Sequence, residues 1–179
     1  MPLASQILLA VLVLVGGVWD IRYRRIPNWL VGSGLLLGIA LNAFLFEWMG
    51  LKLSLLGVGL AFIIYFPLYL LRGMGAGDVK LMMAVGALAG WRIWLVIFII
   101  TGILGGVIAI VFLLFRGRLR KTLWNVGFLL SRIMQLKAPY TENPELDVRS
   151  GQGLRLPHGA VIALGTVVFL AISRFVAQN

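Results

Sequence analysis

Two aspartates in this chain stand where paired-carboxylate chemistry is feasible. Asp20 closes an apolar run that begins at Leu3, and Asp78 follows Gly73-Met74-Gly75-Ala76-Gly77 and precedes a second apolar run from Val79. Only six residues of 179 are acidic, so two acids at the edges of apolar runs form a candidate pair. Two carboxylates close enough to share one proton can hydrolyse an amide. One acts as base toward water and the other as acid toward the carbonyl, and the pair titrates as a unit. Asp20 and Asp78 are therefore expected to meet as the catalytic residues. Gly75 and Gly77 are expected to shape a tight loop, because glycine adopts backbone geometry that a Cβ resists. Each acid also has a plainer reading. Asp78 would N-cap the following helix, a job worth about 1 kcal/mol. Asp20 would be a solvated acid paired with Arg22 or Arg24, although an acid at a helix C-terminus opposes the macrodipole.

The elements that must position these acids are apolar helices. The chain is 61% hydrophobic with 12% charged residues, and its mean hydropathy is +1.01. That composition belongs to a membrane protein. The pattern predicts an all-α integral membrane protein, one membrane domain with six transmembrane helices at about 3–19, 29–46, 51–71, 78–91, 93–115 and 157–176. The first run is not a secretory signal, because its positive charges follow it rather than precede it. Pro27 is well placed near the start of the second helix, and Pro67 is expected to kink the third or be absorbed by its neighbours. Gly34 and Gly38 form a G-x-x-x-G pair suited to close helix contact. The fourth run, from Val79 to Gly90, spans roughly 18 Å as a helix against an apolar layer of about 30 Å. It must borrow length from the glycine loop or from Trp91 onward. The polar segment 116–156 is expected to be cytosolic and to carry an interfacial amphipathic helix at 118–137, where Leu123, Trp124 and Phe128 alternate with Arg118, Arg120, Lys121 and Arg132.

Net charge is +10, which on its face suggests nucleic acid. The charges lie in loops between apolar runs, so an anionic lipid surface is the better partner and nucleic acid is excluded. Loops 20–28, 72–80 and 116–157 hold 13 Lys and Arg, against three (Lys52, Arg92 and Arg174) on the other side. The positive-inside rule then puts both acids on the cytosolic face and both termini outside. No cysteine is present, so no disulfide, thiol nucleophile or Cys-based zinc site exists. There is no metal-ligand cluster, Ser-His-Asp arrangement or phosphate-binding loop, and no cofactor is expected.

Three segments carry a family resemblance. Gly75-Ala76-Gly77-Asp78 resembles the GxGD signature of aspartyl intramembrane-type proteases. Trp19-Asp20-Ile21-Arg22-Tyr23-Arg24-Arg25-Ile26-Pro27-Asn28 resembles the segment after the first helix of prepilin peptidases, and Leu156-Pro157-His158-Gly159-Ala160-Val161-Ile162-Ala163-Leu164-Gly165 resembles their last helix. In order and in length the chain is similar to the minimal prepilin peptidases of Flp (tight adherence) pilus systems. The resemblance implies a GxGD aspartic endopeptidase of the bacterial inner membrane. It would remove the leader of Flp-type prepilins and pseudopilins at the cytosolic face. The larger members carry a cysteine-rich domain linked to N-methylation, which this sequence lacks. Among supporting residues, Asn28 either hydrogen-bonds in the site or starts the second helix. Lys80 either pairs with a carboxylate or snorkels to the surface. His158 stands where the family usually has an aromatic and is expected to be a packed or interfacial residue. The competing class is a small proton-coupled transporter or membrane scaffold, whose acids should lie along a path through the bilayer. A protease of the signal-peptide-peptidase or presenilin kind would share only the GxGD.

Overall fold

The computed structural model describes residues 1–71, 73–117 and 157–178. The expected interfacial helix at 118–137 lies outside the described residues. Four helices order the chain: α1 Leu3–Tyr23, α2 Asn28–Leu70, α3 Ala76–Phe115 and α4 His158–Gln178. All four are long and apolar enough to cross a membrane, and no strand occurs among the described residues.

Two of the four double back on themselves. The Asn42 side-chain amide donates to Ser54 Oγ at 2.9 Å across 12 residues, whereas a straight helix would separate them by roughly 18 Å. The reversal falls at Phe46 (φ −131°, ψ 15°) and Glu47 (φ 51°, ψ −135°). Likewise, Trp94 Nε1–H donates to the Met82 carbonyl at 3.0 Å across 12 residues. That reversal sits at Gly90 (φ 72°, ψ 164°), a conformation essentially reserved for glycine. Thus α2 comprises arms α2a (28–45) and α2b (48–70), and α3 comprises α3a (76–89) and α3b (91–115). With α1 and α4, six helical arms result among the described residues.

The short arm α3a is the centre of the bundle. Val79, Leu81, Met82, Ala84, Val85, Gly86, Ala87 and Leu88 are all buried, and a helix buried over most of its circumference must be surrounded by others, with the Ala76–Lys80–Met83 stripe left partly open. Its length is drawn from the glycine loop, since the helix starts at Ala76 and includes Gly77 and Asp78. Small residues let the neighbours in. A Cβ on Gly57 of α2b would collide with the Gly86 carbonyl, and one on Gly86 with the Gly57 carbonyl. The Gly34–Gly38 pair serves two different contacts: Gly34 receives Leu12 of α1, and Gly38 lies against the Ala87–Leu88 backbone. Pro67 is absorbed within α2b, which continues to Leu70.

Where α3a ends at Gly90, its last carbonyls lose their helical partners. Asn42 Nδ2 donates to the Ala87 and Leu88 carbonyls at 2.8 and 3.2 Å, and Ser54 Oγ–H donates to Ala87 at 2.7 Å. These bonds clasp both reversals at one end of the bundle. The outer faces stay apolar: Phe44 is 84% exposed and Leu36 69%. So broad an apolar surface is stable in lipid rather than water.

Gly57 and Gly59 test this packing. Gly57→Ala should destabilise the detergent-solubilised protein by about 1–3 kcal/mol through overpacking. Gly59→Ala, whose Cβ meets nothing within 4 Å, should be neutral or stabilising, because alanine is the better helix former. Thermal unfolding of the two variants side by side reads the difference, and equal midpoints would show that the α2b–α3a backbones are not in contact.

Candidate functional site

At the end of the bundle away from the Asn42 clasp, three chain segments converge. The first is the end of α1. Asp20 lies in its last turn, not in the following loop. Arg24 stops the helix by taking a left-handed conformation (φ 54°), and its N–H donates to the Asp20 carbonyl at 2.9 Å. The turn sends Ile26 inward (9% exposed) and brings Pro27 to the N-cap of α2, with Asn28 as its first residue.

The second segment is the start of α4. Asp20 is 8% exposed, and its Oδ2 accepts the Gly159 N–H at 2.8 Å. The first amides of a helix lack intrahelical acceptors, so α4 offers a donor where α1 delivers a carboxylate. Position 159 has no room for a side chain. A Cβ there would lie 2.9 Å from Ile26 Cδ1 and 3.1 Å from Asp20 Oδ2. The reading of Asp20 as a solvated acid gives way to a buried, hydrogen-bonded one.

The third segment is the start of α3. Gly75 is the N-cap, and Asp78 sits three residues on, in the first turn. The Gly75 N–H donates to Asp78 Oδ2 at 3.2 Å, and the Asp78 N–H donates back to the Gly75 carbonyl at 3.2 Å. Asp78 therefore does carry a capping bond, from the N3 position rather than as the N-cap itself. The expected role of the glycines is corrected. Gly75 has φ −80° and ψ 152°, a conformation any residue adopts, and Gly77 is helical. Gly77 is needed for contact instead, since a Cβ there would lie 3.1 Å from Ile26 Cβ.

The end of α1 with its following turn and the start of α3 line an open pocket of about 260 Å³. Asp20 and Asp78 both line it, with Gly75, Gly77 and Asn28, and the two carboxyls are close enough to interact electrostatically. Two carboxyls in one open pocket are able to activate water against an amide. Pro27 does not line the pocket; it sets the start of α2. Lys80 also stands outside it, its Nζ donating to Asn28 Oδ1 at 2.9 Å, so it pairs with neither carboxylate. Asn28 both starts the helix and bonds.

A sequence profile of the type IV leader peptidase family matches residues 7–110, which include both acids. The chain belongs to the type IV leader peptidase family. Comparison with curated proteins and with solved structures returns no match. In this leader peptidase, residues that sequence reasoning did not single out also reach the site. Arg25 and Ile26 line the pocket, as does Arg24, which the sequence offers only as a partner for Asp20, and Gly159, beyond the matched region, holds Asp20. Ile26 and Gly159 lay inside quoted motifs, but nothing in their types revealed that they touch. His158 is packed, its ring 6.3 Å from that of Tyr65, with Nε2 buried and lacking a hydrogen-bond partner among the described residues.

If the glycines act through contact, their tolerance should follow the space at each. Gly159→Ala should cut leader cleavage at least about tenfold, whereas Gly75→Ala, at an ordinary 3.4 Å from Asp78 Oδ2, should stay within about threefold of wild type. Ile26→Val removes the clashing Cδ1 and should partly restore Gly159→Ala. Cleavage assays on matched amounts of membrane-inserted enzyme measure all three. A Gly75→Ala enzyme as poor as Gly159→Ala would restore the special-loop reading.

Proposed function

We propose that this leader peptidase is a GxGD-type aspartic endopeptidase with Asp20 and Asp78 as its catalytic pair. The observation that carries the reading is that these two acids, from separate motifs, line the same pocket. Neither acid receives a separate role, because a coupled pair shares its proton. One carboxyl takes a proton from water as it attacks the scissile carbonyl. The other gives a proton to the carbonyl oxygen and, as the intermediate collapses, a proton passes to the departing amine. Gly75, Gly77, Pro27 and Asn28 support this pair by packing and helix starts, and Lys80 steadies Asn28. The transporter alternative asks for acids spread through the bilayer, and both acids here share one end.

The substrates proposed are Flp-type prepilins and pseudopilins, with cleavage at the cytosolic face of the bacterial inner membrane. Six arms crossing the bilayer would place segments 20–28, 71–77 and 157–159 on one side and the two reversals on the other. Exposed Trp19, Tyr23 and Trp29 near the site, and exposed Trp48 near a reversal, suit two interfacial aromatic belts. Gln6 of α1 accepts from Arg174 of α4 at 3.4 Å, so both termini share the end opposite the site. Reporter fusions after Gly50 and at the C-terminus should report outside, and a fusion near Gln152 inside. A cytosolic C-terminus would overturn the six crossings.

The decisive test replaces each acid by its amide. Asn keeps an acceptor for the Gly159 or Gly75 N–H, so Asp20→Asn and Asp78→Asn should insert at normal abundance. Each should lose essentially all cleavage, and the double variant should be hardly worse than either single, since residues acting as a unit are grossly non-additive. Substantial activity in either single variant would exclude the two-aspartate mechanism.

A further inference from the structure

Asn28 lines the acid pocket beside Asp20 and Asp78, but its side chain is held by a residue that does not. Lys80 Nζ donates to Asn28 Oδ1 at 2.9 Å. An ammonium only donates, so the atom it meets is the amide oxygen, and both Nδ2 hydrogens are left to point elsewhere. Among the described residues those hydrogens meet no partner. Lys80 follows Asp78 by two residues, and side chains two apart leave a helix in different directions. Lys80 therefore reaches Asn28 from outside the pocket, and the end of the amide turned away from it faces inward. The backbone beneath is firmly set. Ile26 packs on Gly77, where an added Cβ would lie 3.1 Å from Ile26 Cβ, and Pro27 fixes the chain at the N-cap of α2. Asn28 is thus a short side chain with a set backbone, a held oxygen and a free donor. The other side chains lining the pocket that donate, Arg24 and Arg25, are long and carry full charge.

We propose that the Asn28 amide is a substrate-binding group that donates a hydrogen bond to the scissile carbonyl oxygen, with Lys80 as its positioning residue. This rests on the peptidase reading above. A peptide unit that enters between the acids enters the pocket that Asn28 lines. As water adds to the carbonyl carbon, the oxygen gains electron density. A donor fixed beforehand favours that state over the bound substrate. Lys80 strengthens the donor as well as aiming it. A charge-assisted bond at Oδ1 draws electron density from the amide and polarises its N–H groups. The positive charge itself stays outside the pocket, so this gain comes without a cation paired to either carboxyl.

Asn28→Asp separates a donor from a mere helix start. Aspartate begins a helix as well as asparagine does, and its charge is met by Lys80, but it offers no N–H to a carbonyl. With a Flp-type prepilin in proteoliposomes, Asn28→Asp and Asn28→Ala should each lower kcat about 100-fold, with KM within about threefold of wild type. Lys80→Met should lower kcat about tenfold, and Lys80→Arg, another pure donor, should recover most of that. Added to Asn28→Ala, Lys80→Met should cost no more than about twofold, because it acts through the amide that is already gone. An Asn28→Asp enzyme with near-normal kcat overturns the donor, and full additivity of Lys80→Met with Asn28→Ala overturns the positioning role. Lys80 is exposed, so Lys80→Met keeps the test open if the Asn28 variants insert poorly, and an unchanged kcat there overturns the proposal. Cleaving Asp20→Asn and Asp78→Asn enzymes beside an inactive Asn28→Asp enzyme would remove the two-acid chemistry and spare the donor. The reverse pattern removes the donor alone.

Discussion

Ile26 is the side chain on which the site closes. It is apolar and buried in the middle of a short basic turn, and it presses on Gly77 at the start of α3 and on Gly159 at the start of α4. At either glycine a Cβ would lie closer to Ile26 than a Cβ ordinarily meets its neighbours. Because Ile26 follows Asp20 by six residues and both side chains meet Gly159, seating Ile26 also helps seat Asp20 against the Gly159 amide. A small shift of this wedge would separate the acids, and no other contact described at this end joins all three segments. The wedge works only if the chain leaves α1 sharply. That turn is made by Arg24 in the left-handed region, a conformation costing roughly 1–2 kcal/mol for a residue with a Cβ. Packing of Ile26 and the Asp20–Gly159 bond offset that cost.

The opposite end solves a different problem with the same economy. Between helices in lipid there is little hydrophobic drive, so association relies on close packing and on polar groups that find partners. Gly57 and Gly86 bring α2b and α3a to backbone contact, and Gly165 does the same for α4 against Thr101. Asn42 and Ser54 then supply donors to carbonyls released where α3a stops. The central arm α3a is thus anchored at both ends, by a polar clasp at one and by its Gly75–Asp78 cap at the other. Rigidity at the cap end is transmitted to Asp78 directly, because the residue that closes the cap is the candidate catalytic acid.

Much of this was legible in the chain. The apolar runs predicted helices, and both reversals fell near the expected turns, since Glu47 and Gly90 interrupt runs that would otherwise read as continuous. The two acids stood out because so few exist. What could not be read was the reason for each glycine. A Gly-rich stretch before an acid suggests special backbone angles, yet Gly75 has ordinary ones and Gly77 is small to admit Ile26. Steric need of that kind depends on a partner distant in sequence. For the same reason Gly159 and Asp20 could not be paired from sequence: the bond joins residues at opposite ends of the chain. The apolar run ends at Trp19, yet α1 continues to Tyr23, a boundary that hydropathy alone does not mark. Asp20 is accommodated within it through a donor from α4.

Both candidate acids are received by helix beginnings, Asp78 by its own helix and Asp20 by α4. This arrangement answers the difficulty of keeping two carboxyls together at the edge of an apolar protein. A carboxylate buried without donors is costly, and two such groups in one pocket repel when both are charged. Backbone amides at a helix start are fixed donors carrying partial positive charge, and they take up little space. A lysine bonded directly to either acid would lower its basicity and occupy the pocket. Lys80 is nearby but is committed to Asn28 instead. Each carboxyl thus accepts from a backbone amide, Asp20 from Gly159 and Asp78 from Gly75, a donor that orients it without filling the pocket the two acids share.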